Sequence, residues 1–127
     1  MIETGIKGKQ EITVTPDVTA DKAGSGLLPV FSTPAMIALI EKTAWMSIAD
    51  KVAEGQGSVG TKLDVAHLAA TPIGLRVWCE TELREVDGRR LVFEAAVYDE
   101  KGKIGEGTHE RFIIDNEKFM TKVRQKL

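Results

Sequence analysis

Cysteine occurs once in the 127 residues, at Cys79, so no internal disulfide framework is available. Histidine occurs twice, at His67 and His109, which leaves no Cys/His cluster at zinc-ligand spacing, and no metal site is expected. No apolar run approaches the roughly 18 residues of a membrane span, and the N-terminal MIETGIKGKQ lacks the continuous apolar segment of a secretory signal. An excess of one charge is missing too. The 17 basic and 19 acidic residues are mixed along the chain and leave a net charge of −2, so no long-range field gathers nucleic acid or anionic lipid. Internal repeats and low-complexity runs are absent. Together these absences predict a reduced, soluble, cytoplasmic protein with neither nucleic acid nor membrane as partner.

With 43% hydrophobic residues, the chain can bury one core, and a single domain spanning 1–127 is expected. In QEITVTP (10–16), Ile12 and Val14 alternate with polar neighbours and Pro16 closes the segment, the pattern of a half-buried strand. DKAGSGLLP (21–29), rich in Gly and Ser and ending on Pro, reads as a loop or lid. Thr33-Pro34 is a helix-start signal, a side chain able to cap followed by a residue preorganised for the first turn. Ile37, Ile40, Ala44, Ile48 and Val52 then recur at helical spacing, and Gly55 reads as the helix C-cap. The remainder alternates: Leu63, Val65 and His67 share one face, as do Leu75 to Leu83 and then Leu91 to Val97. Asp87-Gly88 and DEKGK mark the turns, and Gly105 and Gly107 suggest a bend or a close backbone approach. Residues 116–127 predict a short surface helix. One long helix and a meander of antiparallel strands make an α+β architecture, with the sheet curved around the helix. An open sheet edge predicts pairing with a second copy, a homodimer or a tetramer.

Three residues break the pattern. Glu41 falls inside the apolar stripe of the helix, either at its edge, paired with Lys42 or Lys62, or as a functional carboxylate. His67 takes the inward register of its strand, as a hydrogen-bonded core histidine or as a proton-transfer group. Thr33 is an N-cap or, with the free N–H groups of a helix start, part of an oxyanion-binding site. Gly55 and Gly60 in GQGSVGTKL have the glycine spacing of a phosphate-binding loop. The order Thr61-Lys62 and a context running from helix to strand exclude one, leaving Gly60 as a point of close approach. His109 reads as structural, Trp45 and Trp78 as core or interface residues, and Cys79 as a small hydrophobe.

The segments FSTPAMIALIEKTAW, GSVGT, AHLAATP, EVDGRRL, GTHERFII and EKFMTKVRQK together closely resemble the fluoroacetyl-CoA thioesterase family of single-domain hotdog proteins, from about Phe31 onward. The resemblance implies a hotdog fold and hydrolysis of a short-chain acyl-CoA, with coenzyme A entering only as part of the substrate and no separate cofactor. It implies Thr33, Glu41 and His67 as catalytic residues and Gly60 and Arg111 as residues lining the acyl pocket. Where the family's lid carries aromatic residues, this chain has DKAGSGLLPVF, which puts Leu27 and Leu28 at the acyl pocket and leaves the acyl group open between fluoroacetyl and another short acyl group. Two other outcomes share the scaffold: hydratase or dehydratase chemistry on acyl-CoA, and acyl-CoA binding without turnover.

Overall fold

The computed structural model describes residues 2–127. In chain order its elements are β1 (Lys7–Thr13), a 3-10 turn (Pro16–Val18), α1 (Ala20–Ala23), α2 (Thr33–Ser47), β2 (Gln56–His67), β3 (Arg76–Asp87), β4 (Arg90–Asp99), β5 (Gly102–Asp115) and α3 (Asn116–Arg124). The strands form one antiparallel sheet in the order β1-β3-β4-β5-β2, and α2 packs on one face of it, an α+β arrangement. β3, β4 and β5 are the expected meander, turned between β3 and β4 by Gly88 in the left-handed region at φ 61. β2 does not join that meander. It crosses to pair with β5, from Gln56↔Asp115 to His67↔Gly105, so β1 and β2 are the sheet edges.

Strict alternation builds the core. Val77, Cys79, Thr81 and Leu83 of β3 and Leu91, Phe93, Ala95 and Val97 of β4 are all buried, facing Met36, Leu39, Ile40, Thr43 and Ala44 of α2. Each such Leu, Ile, Met or Phe contributes about 1.5–3 kcal/mol by leaving water. Gly105 and Gly107 fulfil the expected close approach: a Cβ at Gly105 would lie 2.6 Å from Met36 Sδ, and one at Gly107 would lie 2.2 Å from the Asp64 carbonyl oxygen. Cys79 is buried on the inner face, and burial pushes its thiol up to about 11, in keeping with a packing residue.

Several boundaries differ from the sequence reading. β1 begins at Lys7 and ends at Thr13, and Pro16 opens the 3-10 turn instead of closing the strand. Within the expected loop, Ala20–Ala23 forms one helical turn that stops at Gly24. Ser32, not Thr33, caps α2: its Oγ accepts from the Ala35 N–H at 3.1 Å. α2 ends at Ser47, well before Gly55. There the Ser47 hydroxyl donates to the Ala44 carbonyl at 2.6 Å, a competing bond that helps the chain leave the helix for a series of turns. Gly55 is no C-cap. Its left-handed φ of 81 leads into β2, and its carbonyl accepts from the Asn116 N–H at 2.9 Å. The glycine-bearing Gln56 to Gly60 are the first residues of β2. Trp45 is not a core residue of the protomer, being 45% exposed, while Trp78 stacks on Tyr98 with ring centroids 5.9 Å apart. Among the described residues no helix is long and apolar enough to cross a membrane.

Candidate active site

Two polar clusters lie where α2 meets β2 and β5. The first is set by the start of α2. Because Ser32 takes over capping, the Thr33 hydroxyl is free, and it lies 2.8 Å from His67 Nδ1 at the end of β2. Phe31 fixes the approach to the helix. It is buried, its N–H donates to the Thr71 carbonyl at 2.8 Å, and its ring meets the His67 ring edge-on at 6.4 Å. His67 is half-buried, and desolvation holds its imidazole below the usual histidine value, so the ring is neutral at neutral pH. Its Nε2 is buried without a hydrogen-bond partner among the described residues. The pair borders a cleft of about 340 Å³ whose lining includes Phe31, Ser32, Thr33, His67 and Leu68. With Thr33 donating to Nδ1, Nε2 carries the proton; with Thr33 accepting, Nε2 is the free base. Either way the unengaged nitrogen is the one available for proton transfer.

The second cluster surrounds Glu41. On α2 the fully buried line is Met36, Ile40 and Ala44, and Glu41 stands on its flank with a side chain 38% exposed, facing β2 and β5. A Cβ on Gly60 would lie 2.6 Å from Glu41 Oε2, so only glycine leaves room for the carboxylate there. Arg111 Nη1 donates to Glu41 Oε2 at 3.4 Å and to His109 Nε2 at 3.1 Å. Arg111 Nε donates to Ser58 Oγ at 2.8 Å and Nη2 to the Ser58 carbonyl at 2.9 Å. Burial acts to lower the Arg111 pKa against the pull of Glu41, yet a guanidinium remains charged at any ordinary pH. Arg111 and Ser58 also line a cleft of about 400 Å³ bounded by Trp45, Ile48, Val52 and Gly57.

The structure thus brings Thr33 to His67, and Glu41 to Gly60 and Arg111. It does not bring the two groups together within the chain: no hydrogen bond joins Glu41 to Thr33 or His67 among the described residues. Thr33 and Glu41 are separated by about 12 Å of helix rise. Leu27 and Leu28 are 93% and 65% exposed and lie outside the lining of the Thr33–His67 cleft. The helix start is also a poorer oxyanion site than the sequence suggested. Pro34 has no N–H, the Ala35 N–H is held by Ser32 Oγ, and the Met36 N–H by the Ser32 carbonyl. Sequence reading missed Ser58 and His109 as partners of Arg111. The signal for His109 was present, since it shares the inward face of Arg111 on a strand whose other inward residues there are glycines.

Residues 14–117 match the family described as fluoroacetyl-CoA-specific thioesterase, FlK. Over 97 residues the chain is 47% identical to the fluoroacetyl-CoA thioesterase of Streptantibioticus cattleyicolor, spanning 76% of this chain and 70% of that protein. A solved structure of the fluoroacetyl-CoA thioesterase FlK superposes with a TM-score of 0.95 at 38% identity, covering 100% of this chain and 98% of that one. A variant of FlK has also been solved in complex with fluoroacetate and CoA. A Thermus thermophilus protein of the thioesterase superfamily superposes with a TM-score of 0.90 at 27% identity, covering 98% and 93% of the two chains. By the extent and identity of these matches, the chain belongs to the fluoroacetyl-CoA-specific thioesterase family and is a thioester hydrolase of the hotdog fold.

Proposed function

We propose that this protein hydrolyses a short-chain acyl-CoA to the free acid and CoA, with Glu41, His67 and Thr33 as its catalytic residues. The observation that carries the reading is the 2.8 Å contact between Thr33 Oγ1 and His67 Nδ1, which leaves a buried Nε2 unpartnered beside a cleft. Glu41 attacks the thioester carbonyl carbon or draws a proton from the attacking water. The proton that the attacking water gives up is relayed through the neutral His67, oriented by Thr33, to the departing CoA sulfur. Arg111, cationic and close to Glu41, lies where it can stabilise charge at the acyl end, and Gly60 keeps that end open. Leu27 and Leu28, aliphatic and on the exposed loop, would cover the acyl group, which leaves fluoroacetyl as one short acyl group among others.

Since the two clusters stand apart in one chain, the complete site draws on a second copy. β2 is an edge strand, with Gly60, Thr61, Lys62, Asp64 and Ala66 all exposed. Antiparallel pairing of two β2 edges about a two-fold axis at Asp64 sets His67 opposite the bulge at the partner's Thr61, next to the partner's Gly60 and therefore near the partner's Glu41. A homodimer with two shared sites follows.

Thiol release from a panel of short acyl-CoAs, acetyl and fluoroacetyl included, tests the chemistry. Glu41→Ala and His67→Ala are each expected to lose about 10²-fold or more. Binding of the panel by the unaltered protein with no thiol release would overturn the reading. Mixing the two inactive variants tests the shared site. Randomly reassorted dimers carry one intact site in half of the molecules, restoring about a quarter of full activity. No recovery after verified exchange would place Glu41 and His67 of each site in the same chain.

A further inference from the structure

His109 is fully buried on the inner face of β5, stacked beside Phe93 at a ring separation of 6.4 Å, and both of its ring nitrogens are engaged. Nδ1 lies 2.9 Å from the Lys62 carbonyl, an acceptor only, so Nδ1 carries the proton. Nε2 lies 3.1 Å from Arg111 Nη1, a donor only, so Nε2 presents its lone pair. The tautomer is therefore fixed by its two neighbours. The Lys62 carbonyl belongs to an irregular stretch of β2: the register runs Gly60↔Arg111 and then Lys62↔Glu110, leaving Thr61 as the extra residue of a bulge. One ring thus ties the bulge beside Gly60 to the cation that meets Glu41.

We propose that His109 is a positioning residue for hydrolysis: held as the neutral Nδ1–H tautomer by the β2 bulge, it accepts one Nη1–H of Arg111 and thereby aims the other at Glu41. The proposal rests on Glu41 being the reacting carboxylate. Nη1 has two hydrogens in the guanidinium plane, so fixing one at His109 Nε2 fixes the direction of the second. Ser58 clamps the Nε and Nη2 side of the same plane. Without the imidazole acceptor the guanidinium is held along its Ser58 edge alone, so the plane can rock about that edge and carry Nη1 from the carboxylate, and a buried N–H is left unpaired.

Two substitutions separate this role from simple packing. In His109→Asn the amide N–H reaches the position of Nδ1 and can still donate to Lys62, but nothing accepts from Arg111. In His109→Gln the side-chain oxygen reaches the position of Nε2 and accepts from Arg111. With acetyl-CoA and the best substrate of the panel, His109→Asn is expected to lose on the order of 10-fold or more in kcat with little change in KM, and His109→Gln to recover most of it. Ring 15N shifts of the unaltered protein are expected to show a neutral imidazole protonated at Nδ1. Equal activity of the two variants, high or low, overturns the proposal, as does a ring protonated at Nε2, a readout that needs no variant to fold. A Glu41→Ala control kept in the same series distinguishes the failures. If it retains full activity, the assignment of Glu41 falls; if it is inactive while His109→Asn is normal, the role of His109 alone falls.

Discussion

Replacing Gly60 by alanine separates fold from function more sharply than any other substitution at this site. The backbone of Gly60 is not in the left-handed region, so alanine meets no conformational strain, and reducing the freedom of the unfolded chain favours it by about 0.4–1 kcal/mol. The added Cβ, however, would lie 2.6 Å from Glu41 Oε2, 3.1 Å from His109 Cε1 and 3.4 Å from Arg111 Nη1. Against an ordinary carbon–oxygen contact of about 3.3 Å, the carboxylate must retreat by roughly 0.7 Å. Glu41 is 38% exposed and ends a flexible chain, so it moves at little cost to the fold. For a reacting group, a displacement approaching 1 Å costs up to about 10²-fold in rate. The barrier therefore rises by up to about 2.7 kcal/mol. Thiol-release kcat/KM is expected to fall between 10- and 100-fold while the urea midpoint is unchanged or slightly raised. Undiminished kcat/KM would refute the claim that this approach sets the position of Glu41. An equal loss of stability would refute the claim that the carboxylate, rather than the buried His109 ring 3.1 Å away, takes up most of the displacement.

The remaining expectations use the same separation of roles. Ser32→Ala removes the cap of α2 and should cost about 1 kcal/mol in urea unfolding, whereas Thr33→Ala should leave stability near normal and lower kcat, with Thr33→Ser restoring it. Thr71→Val removes the hydroxyl that donates to buried Asp99 Oδ2 at 2.7 Å and leaves the carboxylate only the Lys101 N–H, so a loss of about 1–3 kcal/mol is expected by thermal or urea unfolding. His67 and His109 are both held below the ordinary histidine value, chiefly by burial. The unfolded chain therefore takes up protons near pH 6.5 while the folded one does not. Stability is full above about pH 7 and falls as the pH drops from 6.5 toward the folded values, by at most about 1.4 kcal/mol per pH unit for each ring. Urea midpoints at pH 7.5 and 5.5 check the sign, and a higher midpoint at 5.5 would contradict it.

What was legible in the sequence follows from what periodicity encodes. Val77 to Leu83 and Leu91 to Val97 announce strands because one face of each is fully buried, and Asp87-Gly88 announces their turn because its backbone needs a left-handed residue. Periodicity does not encode neighbours, so the placement of β2 beside β5 was hidden, and the glycines of Gln56 to Gly60 concealed that a strand had begun. The end of α2 was hidden for a different reason. Ile48 and Val52 continue the helical spacing beyond Ser47, but they reach the core from turns, Ile48 buried with Leu83, Leu91 and Phe93 and Val52 partly buried against them. At the site, Thr33, Glu41 and His67 were each ambiguous alone. The pairing of Thr33 with His67 joins residues 34 apart in sequence, and only the family resemblance made that grouping visible beforehand.

The geometry around Arg111 bears on why a carboxylate stands beside an apolar helix face. If Glu41 were there to neutralise a buried cation, the pair should be short and preferably bidentate, near 2.7–2.9 Å. Instead a single contact of 3.4 Å joins them, while the two shortest bonds of the guanidinium go to the Ser58 hydroxyl and carbonyl and another to a neutral imidazole. Nor do Lys42 or Lys62 form an ion pair with Glu41 among the described residues. Arg111, only 6% exposed along its side chain, is solvated mainly by neutral acceptors, so the fold does not depend on Glu41 to hold it. The carboxylate is thus left loosely engaged, pressed against a glycine and partly open to solvent, as suits a group that must approach a thioester rather than one that completes a salt bridge.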